Sequence, residues 1–295
     1  MDSKVRGTIE MSAAMTIAGT IGWFVVISGQ PILDVVFWRC VFGAVTLGIV
    51  CLRMSLFRSV STRRIVGLAA LGGVAIVLNW LLLFASFSFT SISISTAVYN
   101  TQPFMLVGLG ALFFSERLTV TKLAWLTLAF AGVLLIVQAK PDAGHNGFHY
   151  LVGVLMALGA GFFYAVAAIL TKKLAGTPPH LIAFIQVCVG IAMLAPFANL
   201  SHPPVRMGTW GVLAAVGIVH TGLTYILLYG AIQKLPTHLT GSLSFIYPLV
   251  AILVDFLAFG HRLHPAQFVG AAAILTAAAG MNLGWSLRVR RPCAG

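Results

Sequence analysis

The chain has 295 residues, of which 59% are hydrophobic and only 8% charged, and its mean hydropathy is +1.00. A soluble domain carries about 25% charged residues, so no water-soluble fold could hide this much apolar surface; the composition calls for a bilayer as solvent. The net charge of +12 does not point to nucleic acid, because the basic residues sit in short clusters between apolar runs, the pattern that orients a membrane protein.

Ten apolar runs follow in chain order, near residues 9–28, 33–53, 65–85, 91–114, 120–138, 150–171, 179–198, 208–230, 237–259 and 265–286. Each is about 18–24 residues long, enough helix to cross a hydrocarbon core of ~30 Å. Barrel strands need only about 10 residues and alternate in polarity, so the runs read as helices. The first run follows Lys4 and Arg6 as a signal peptide does. No clear cleavage site follows and nine further spans do, so it reads as an uncleaved helix. With the N-terminus inside, fourteen Lys and Arg fall on the inner side. Three, Lys140, Arg206 and Arg262, fall on the outer side, and Arg39 lies within a span. That bias puts both termini of a multi-pass membrane protein in the cytoplasm.

The chain also repeats itself. Pro103 and Glu116-Arg117-Leu118 recur 145 residues later as Pro248 and His261-Arg262-Leu263. Asn79-Trp80-Leu81-Leu82-Leu83-Phe84 falls on Thr224-Tyr225-Ile226-Leu227-Leu228-Tyr229 at the same shift. A shift of 147 lays Pro31, Phe37 and Gly43 on Pro178, Phe184 and Gly190. Residues 1–140 and 141–295 are therefore expected to be two five-helix repeats in one membrane domain. An odd number of spans per half inverts the second copy, and transporters of that design bind substrate between the halves. The expected fold is an all-α integral membrane protein of ten transmembrane helices.

The repeat selects candidate site residues. In span 4, Ser95, Tyr99 and Gln102 share one helical face; the shift carries them to Thr240, Ser244 and Tyr247 in span 9. Each polar stripe ends beside Pro103 or Pro248, which frees a backbone carbonyl one turn earlier and marks a hinge. The stripes either line a cavity near the midplane or tie helices together. Spans 3 and 8 add Asn79, Trp80 and Phe84 against Thr224, Tyr225 and Tyr229, aromatic faces able to hold an apolar, aromatic or cationic group. Trp23 and Tyr164, in the first helix of each half, are cavity candidates or packing residues. Trp38, Trp125, Trp210 and Trp285 lie near span ends and are assigned to interfacial belts.

Charges inside the membrane are few. Arg39 has three readings: it binds a substrate carboxylate, snorkels outward, or pairs with Asp34. Its repeat mate is the neutral Gln186. His220 in span 8 and Asp255 in span 9 are the proton-relay candidates, with an interfacial role the alternative for Asp255. Cys40, Cys51, Cys188 and Cys293 show no paired spacing, so neither a metal site nor a disulfide framework is expected, and no cofactor is implied. No P-loop, dinucleotide fingerprint, G-x-S-x-G elbow or H-E-x-x-H occurs, so the chain is not expected to be an enzyme.

Ten spans in two halves, Pro103, Ser115-Glu116-Arg117-Leu118 and Arg39 in span 2 resemble the drug/metabolite transporter superfamily. The likeness is to its ten-helix, EamA-like exporter branch and covers residues 5–290. The second half departs from it, because His261 stands where the family usually has Glu. The resemblance implies an exporter, and the aromatic candidates are similar to those of bacterial amino-acid exporters, including exporters of aromatic amino acids. The expected partners are a small-molecule substrate and the lipid bilayer, with no nucleic acid. The expected substrate is a small amphipathic metabolite, foremost an amino acid with a large apolar or aromatic side chain, bound among Trp80, Tyr99, Tyr225 and Tyr247. Its polar end would meet Asn79, Gln102, Ser244 or Arg39, and Glu116 would act at the hinge with Pro103 and Pro248. A drug, cation or polyamine exporter is the first rival reading, and an intramembrane lipid enzyme the second.

Overall fold

The computed structural model describes residues 2–59, 62–86, 88–89, 95, 98–138, 147–199, 203–259 and 265–285. Among these residues the regular structure is entirely helical. The first half contributes α1 (Ser3–Gly19), α2 (Ile21–Ser28), α3 (Ile32–Arg53), α4 (Arg63–Ser86), α5 (Gln102–Phe114) and α6 (Val120–Gln138). The second contributes α7 (Gly147–Lys173), α8 (Pro179–Leu194), α9 (Met207–Ala215), a π-helical stretch (Val216–Leu223), α10 (Thr224–Lys234), α11 (Thr237–Ser244), α12 (Ile246–Phe259) and α13 (Pro265–Leu283). The boundary expected at residue 140 falls outside the described residues.

Among the described residues, five helical segments are long and apolar enough to cross a membrane: Ser3–Ser28, Ile32–Arg53, Arg63–Ser86, Tyr150–Lys173 and Met207–Lys234. Gln102–Phe114, Val120–Leu135, Pro179–Leu194 and Phe268–Met281 are shorter apolar helices. Large apolar side chains such as Val26, Ile49, Leu112, Leu257 and Phe268 face outward. Together they would make an insoluble surface in water and a compatible one in lipid.

Local chemistry sets the helix ends. Asp2 caps α1 by accepting from the Lys4 N–H. Gly29 ends α2 in the left-handed region that glycine tolerates (φ +60°). Spans 4 and 9 both break about one turn before their prolines. Asn100–Thr101 form a turn ahead of Pro103, and Phe245 separates α11 from α12 ahead of Pro248. A proline offers no N–H to the carbonyl four residues back, and its ring crowds that carbonyl.

Helices of one half pack on those of the other in matched pairs. α4 lies on α7 as α1 lies on α10, and α4 meets α8 as α3 meets the π-stretch. Two helices, α3 and α6, pack against their own copies, and the second part of span 4 packs on the first part of span 9; each pair runs antiparallel. In α3 and α8, Cys40 meets Gly190 while Gly48 meets Phe184; in α5 and α11, Pro103 meets Gly241 while Gly110 meets Thr237. In α6 and α13, Gly132 lies on Gly270 while Trp125 lies on Gly280. A Cβ at Gly132 would stand 2.6 Å from the Gly270 carbonyl, whereas one at Gly108 meets nothing within 4 Å. Gly132→Val is therefore expected to cost about 1–3 kcal/mol by overpacking, and Gly108→Ala very little. Melting of the detergent-solubilised proteins checks this, and equal melting temperatures would refute the close contact.

Candidate functional site

Where the halves meet lies a cavity of about 110 Å³, room for several waters at ~10–15 Å³ each. Its walls come from both halves. Arg39 (α3), His220 (π-stretch) and Thr224 (α10) form one polar region. Trp80 (α4) and Tyr225 (α10) cross the middle edge to face, their ring centroids 5.9 Å apart. Asn79, Tyr99, Gln102 and Tyr164 form a second polar region, and Tyr247 closes the wall from α12. Met15, Ala18 and Ile21 of the first span, with Leu83, Phe84 and Leu228, supply the apolar remainder. The small apolar residues of α1 and α2 carried no sequence signal, since nothing distinguishes a cavity-lining Ala or Met from a packed one.

Arg39 is 3% exposed. Its Nε donates to Thr221 Oγ1 at 3.1 Å, and its guanidinium carbon sits 4.1 Å from the centroid of the Trp80 ring. The pairing with Asp34 does not occur: Asp34 Oδ1 accepts from the Asn199 N–H at 2.9 Å. Five residues turn a helix about 500°, so Asp34 and Arg39 point to different faces. Nor does Arg39 snorkel, because its head turns inward onto Trp80. Among the described residues no carboxylate lies within ion-pair distance of it.

The π-stretch creates this wall. Thr221 Oγ1 and Thr224 Oγ1 donate to carbonyls five residues back, Val216 O at 3.1 Å and Val219 O at 2.9 Å. The corresponding part of the first half lies within the regular helix α4, so the widened turn belongs to the second half alone. Such π-turns gather at functional sites. His220 Nε2 lies 2.8 Å from Thr20 Oγ1, at the break between α1 and α2. No described carboxylate lies within ion-pair distance of His220, and the Asp255 side chain lies outside the described residues, as does His261.

Opposite, Asn79 Nδ2 donates to the Ala160 carbonyl at 2.8 Å and to the Tyr99 hydroxyl at 3.3 Å. The Tyr99 and Tyr164 rings meet edge to face. Trp23, Ser244 and Ser95 are among the sequence candidates that stand outside the cavity. Trp23 is 37% exposed and packs on Phe24, because the break at Thr20 gives α2 a new rotational start. Ser244 turns its hydroxyl back onto the Thr240 carbonyl at 2.8 Å, satisfied by its own helix. Ser95 is buried but is not part of the cavity wall.

At one end of the molecule a charged cluster ties the halves together. Ser115 adopts a left-handed conformation (φ +52°) after α5, which turns the chain so that Glu116 reaches α11. Glu116 accepts from Lys172 Nζ at 2.6 Å, from Thr237 N–H at 3.0 Å and from Thr237 Oγ1 at 2.7 Å. His238 Nδ1 stands 3.8 Å away. Burial alone would push this carboxyl up, but His238, Lys172 and Thr237 outweigh it and hold it well below the usual carboxylate range. Lys172 also donates to the Leu235 carbonyl. Beside it, Lys234 Nζ pairs with Glu10 Oε2 at 2.5 Å, and Arg6 pairs with the same carboxylate at 2.9 Å. The α10–α11 connection is thus held from α1, α7 and the α5–α6 turn. Of these residues the sequence marked Glu116 as a hinge candidate and Glu10 as an interfacial residue; the partners of Glu116 are distant in the chain and follow no local pattern.

The EamA-like transporter family matches residues 6–138 and again residues 151–283. An uncharacterised transporter of Bacillus subtilis, YxxF, is 31% identical over 292 residues, covering 96% of this chain and 91% of that protein. The threonine/homoserine exporter RhtA of Escherichia coli K12 is 29% identical over 207 residues, covering 68% of this chain and 66% of that one. A probable amino-acid metabolite efflux pump of the same organism is 28% identical over 62% of this chain and 64% of its own length. A solved crystal structure superposes with a TM-score of 0.82 at 19% identity, covering 94% of this chain and 96% of that one, which shows a shared fold. The chain belongs to the EamA-like transporter family of the drug/metabolite transporter superfamily and is a membrane transporter of small molecules rather than an enzyme.

Proposed function

We propose that this chain exports small amphipathic metabolites, foremost amino acids with large apolar or aromatic side chains, by alternating access of the central cavity. One observation carries the reading. A buried guanidinium, without a carboxylate partner among the described residues, stands over an aromatic wall. A charge held in a membrane interior is expensive and marks a substrate path. A substrate carboxylate would satisfy Arg39 by a charge-assisted bond, and its side chain would lie on Trp80, Tyr225 and Tyr247. Asn79, Tyr99 and Gln102 would meet the remaining polar atoms. The relatives named as amino-acid exporters support the class.

The same reading takes the protein as ten crossings in two inverted five-helix repeats, residues 1–140 and 141–295, with both termini in the cytoplasm of an inner membrane. The antiparallel self-pairs α3/α8 and α6/α13, and the antiparallel contact of span 4 with span 9 through α5 and α11, support inversion, because a copy related by an in-plane two-fold runs against its original. The Glu116 and Glu10 clusters then lie at the cytoplasmic end, where they hold the inner path shut, and Pro103 and Pro248 mark the hinges.

Transport is a facilitated flow down the substrate gradient, since His220 has no described carboxylate with which to relay a proton. Reconstituted protein should release labelled phenylalanine saturably, at rates unaffected by an imposed pH gradient. Uphill flux driven by protons would overturn facilitation. Polyamine flux against which amino acids fail to compete would overturn the substrate class.

A further inference from the structure

Arg39 has a structural counterpart. Its carbonyl lies against Gly217 of the π-stretch, and the Gln186 carbonyl lies against Gly73 of α4. The 145-residue shift carries Gly217 onto Gly72, the neighbour of Gly73, so α3 on the π-stretch and α8 on α4 repeat one contact. Gln186 is 2% exposed. Its Oε1 accepts from the Tyr229 hydroxyl, while its Nε2 lies over Gly72 and has no hydrogen-bond partner. The Tyr229 ring meets Tyr225 edge on at 5.1 Å, and Tyr225 lines the cavity. Gln186 therefore stands one aromatic ring behind the cavity wall, toward the end held by Lys172 and Lys234.

A buried amide N–H without an acceptor carries its full desolvation cost. Helix packing against a glycine needs no amide, and Leu or Met would fill that space without the cost. We infer that Gln186 is a second specificity-determining residue, which offers its side-chain amide to the substrate carboxylate when the cavity opens to the cytoplasm. The inference rests on the amino-acid reading above. Exchange of the two halves' conformations is how inverted repeats alternate. That exchange brings the α8–α4–α10 wall to the cavity and withdraws the α3–π-stretch wall. Arg39 then serves the outer-facing state and Gln186 the inner-facing one. A neutral donor grips a carboxylate more weakly than a guanidinium does, so half-saturation lies higher at the cytoplasmic face than at the outer face.

The test measures zero-trans half-saturation for labelled phenylalanine at each face of vesicles with protein of one orientation. Two variants are used, Q186L and Q186E. Q186L removes the amide, and Q186E keeps an acceptor for Tyr229 but sets a negative charge against the carboxylate. Both should raise half-saturation about tenfold or more at the cytoplasmic face and change the outer face less than twofold, with the larger rise in Q186E. R39Q should give the mirror pattern. Wild-type flux combined with equal shifts at both faces, or none at either, would overturn the role of Gln186 alone. Wild-type vesicles that carry no amino acid in either direction would overturn the substrate reading beneath it. Should Q186L fail to fold, the near-isosteric Q186E decides.

Discussion

Arg39→Gln is expected to lower transport of carboxylate-bearing substrates by about 10- to 150-fold in kcat/KM, the loss of a charge-assisted hydrogen bond worth about 1.5–3 kcal/mol. Arg39→Lys keeps the charge but loses the planar fork and the stacking on Trp80, so its activity should fall between the two. Thr221→Val removes the hydroxyl that receives Arg39 Nε and leaves the charge; its effect should be several-fold at most. An amino-acid methyl ester has no anionic carboxylate. It should compete weakly against wild-type transport and no differently against R39Q. Stability should move the other way: replacing a desolvated charge with a packed apolar group is often neutral or stabilising by about 1–4 kcal/mol, so Arg39→Leu should melt no lower than wild type while transporting poorly. Loss of stability together with equal loss of acid and ester recognition would instead make Arg39 a strut between α3 and the π-stretch.

Much of the cavity was legible because the chain carries two copies of one design. Trp80 and Tyr225 share a place in the repeat, and they meet across the cavity. Both prolines announced helix breaks, since a missing N–H acts locally wherever the rest of the fold goes. Other features had no local trace. Nothing in Thr20 foretells the break that turns Trp23 outward. The π-stretch looks, as a sequence, like any apolar helix, and only its threonine bonds to carbonyls five residues back reveal it. Ser244 was selected for polarity alone, but a hydroxyl in a helix can satisfy itself on the preceding turn. Glu116 stood out through a motif, while Lys172 and Thr237 are brought to it by tertiary packing. Sequence spacing thus reads what one helix does to itself. What two helices do to each other is readable only where the repeat states it twice.

Glu116→Gln is expected to loosen the end assigned to the cytoplasm. Glu116 gathers Lys172, the Thr237 N–H and the Thr237 hydroxyl onto one carboxylate, and so joins the α5–α6 turn to α7 and α11. Glutamine loses the ion pair and part of the acceptor capacity. If the cluster favours the inner-closed state by about 1.5–3 kcal/mol, typical of hydrogen bonds to charged groups, its loss shifts the conformational balance about 10- to 150-fold toward the inner-open state. A cysteine at Leu228, in a background lacking the native cysteines, should then react correspondingly faster with an impermeant maleimide from the cytoplasmic side. Lys172→Ala should act alike, and the exchanged pair E116K with K172E should recover part of the closure. The pH dependence has a defined sign. The folded carboxyl titrates below its unfolded value of ~4.3, so its contribution is fully present above that value and is lost as pH falls through the folded one. The ratio of E116Q to wild-type labelling, in which the thiol's own ionisation cancels, should therefore stay flat from pH 8 to 5 and narrow only in stronger acid. A ratio that falls steadily between pH 8 and 5 would transfer the latch to another group, and labelling indifferent to both E116Q and K172A would remove it altogether.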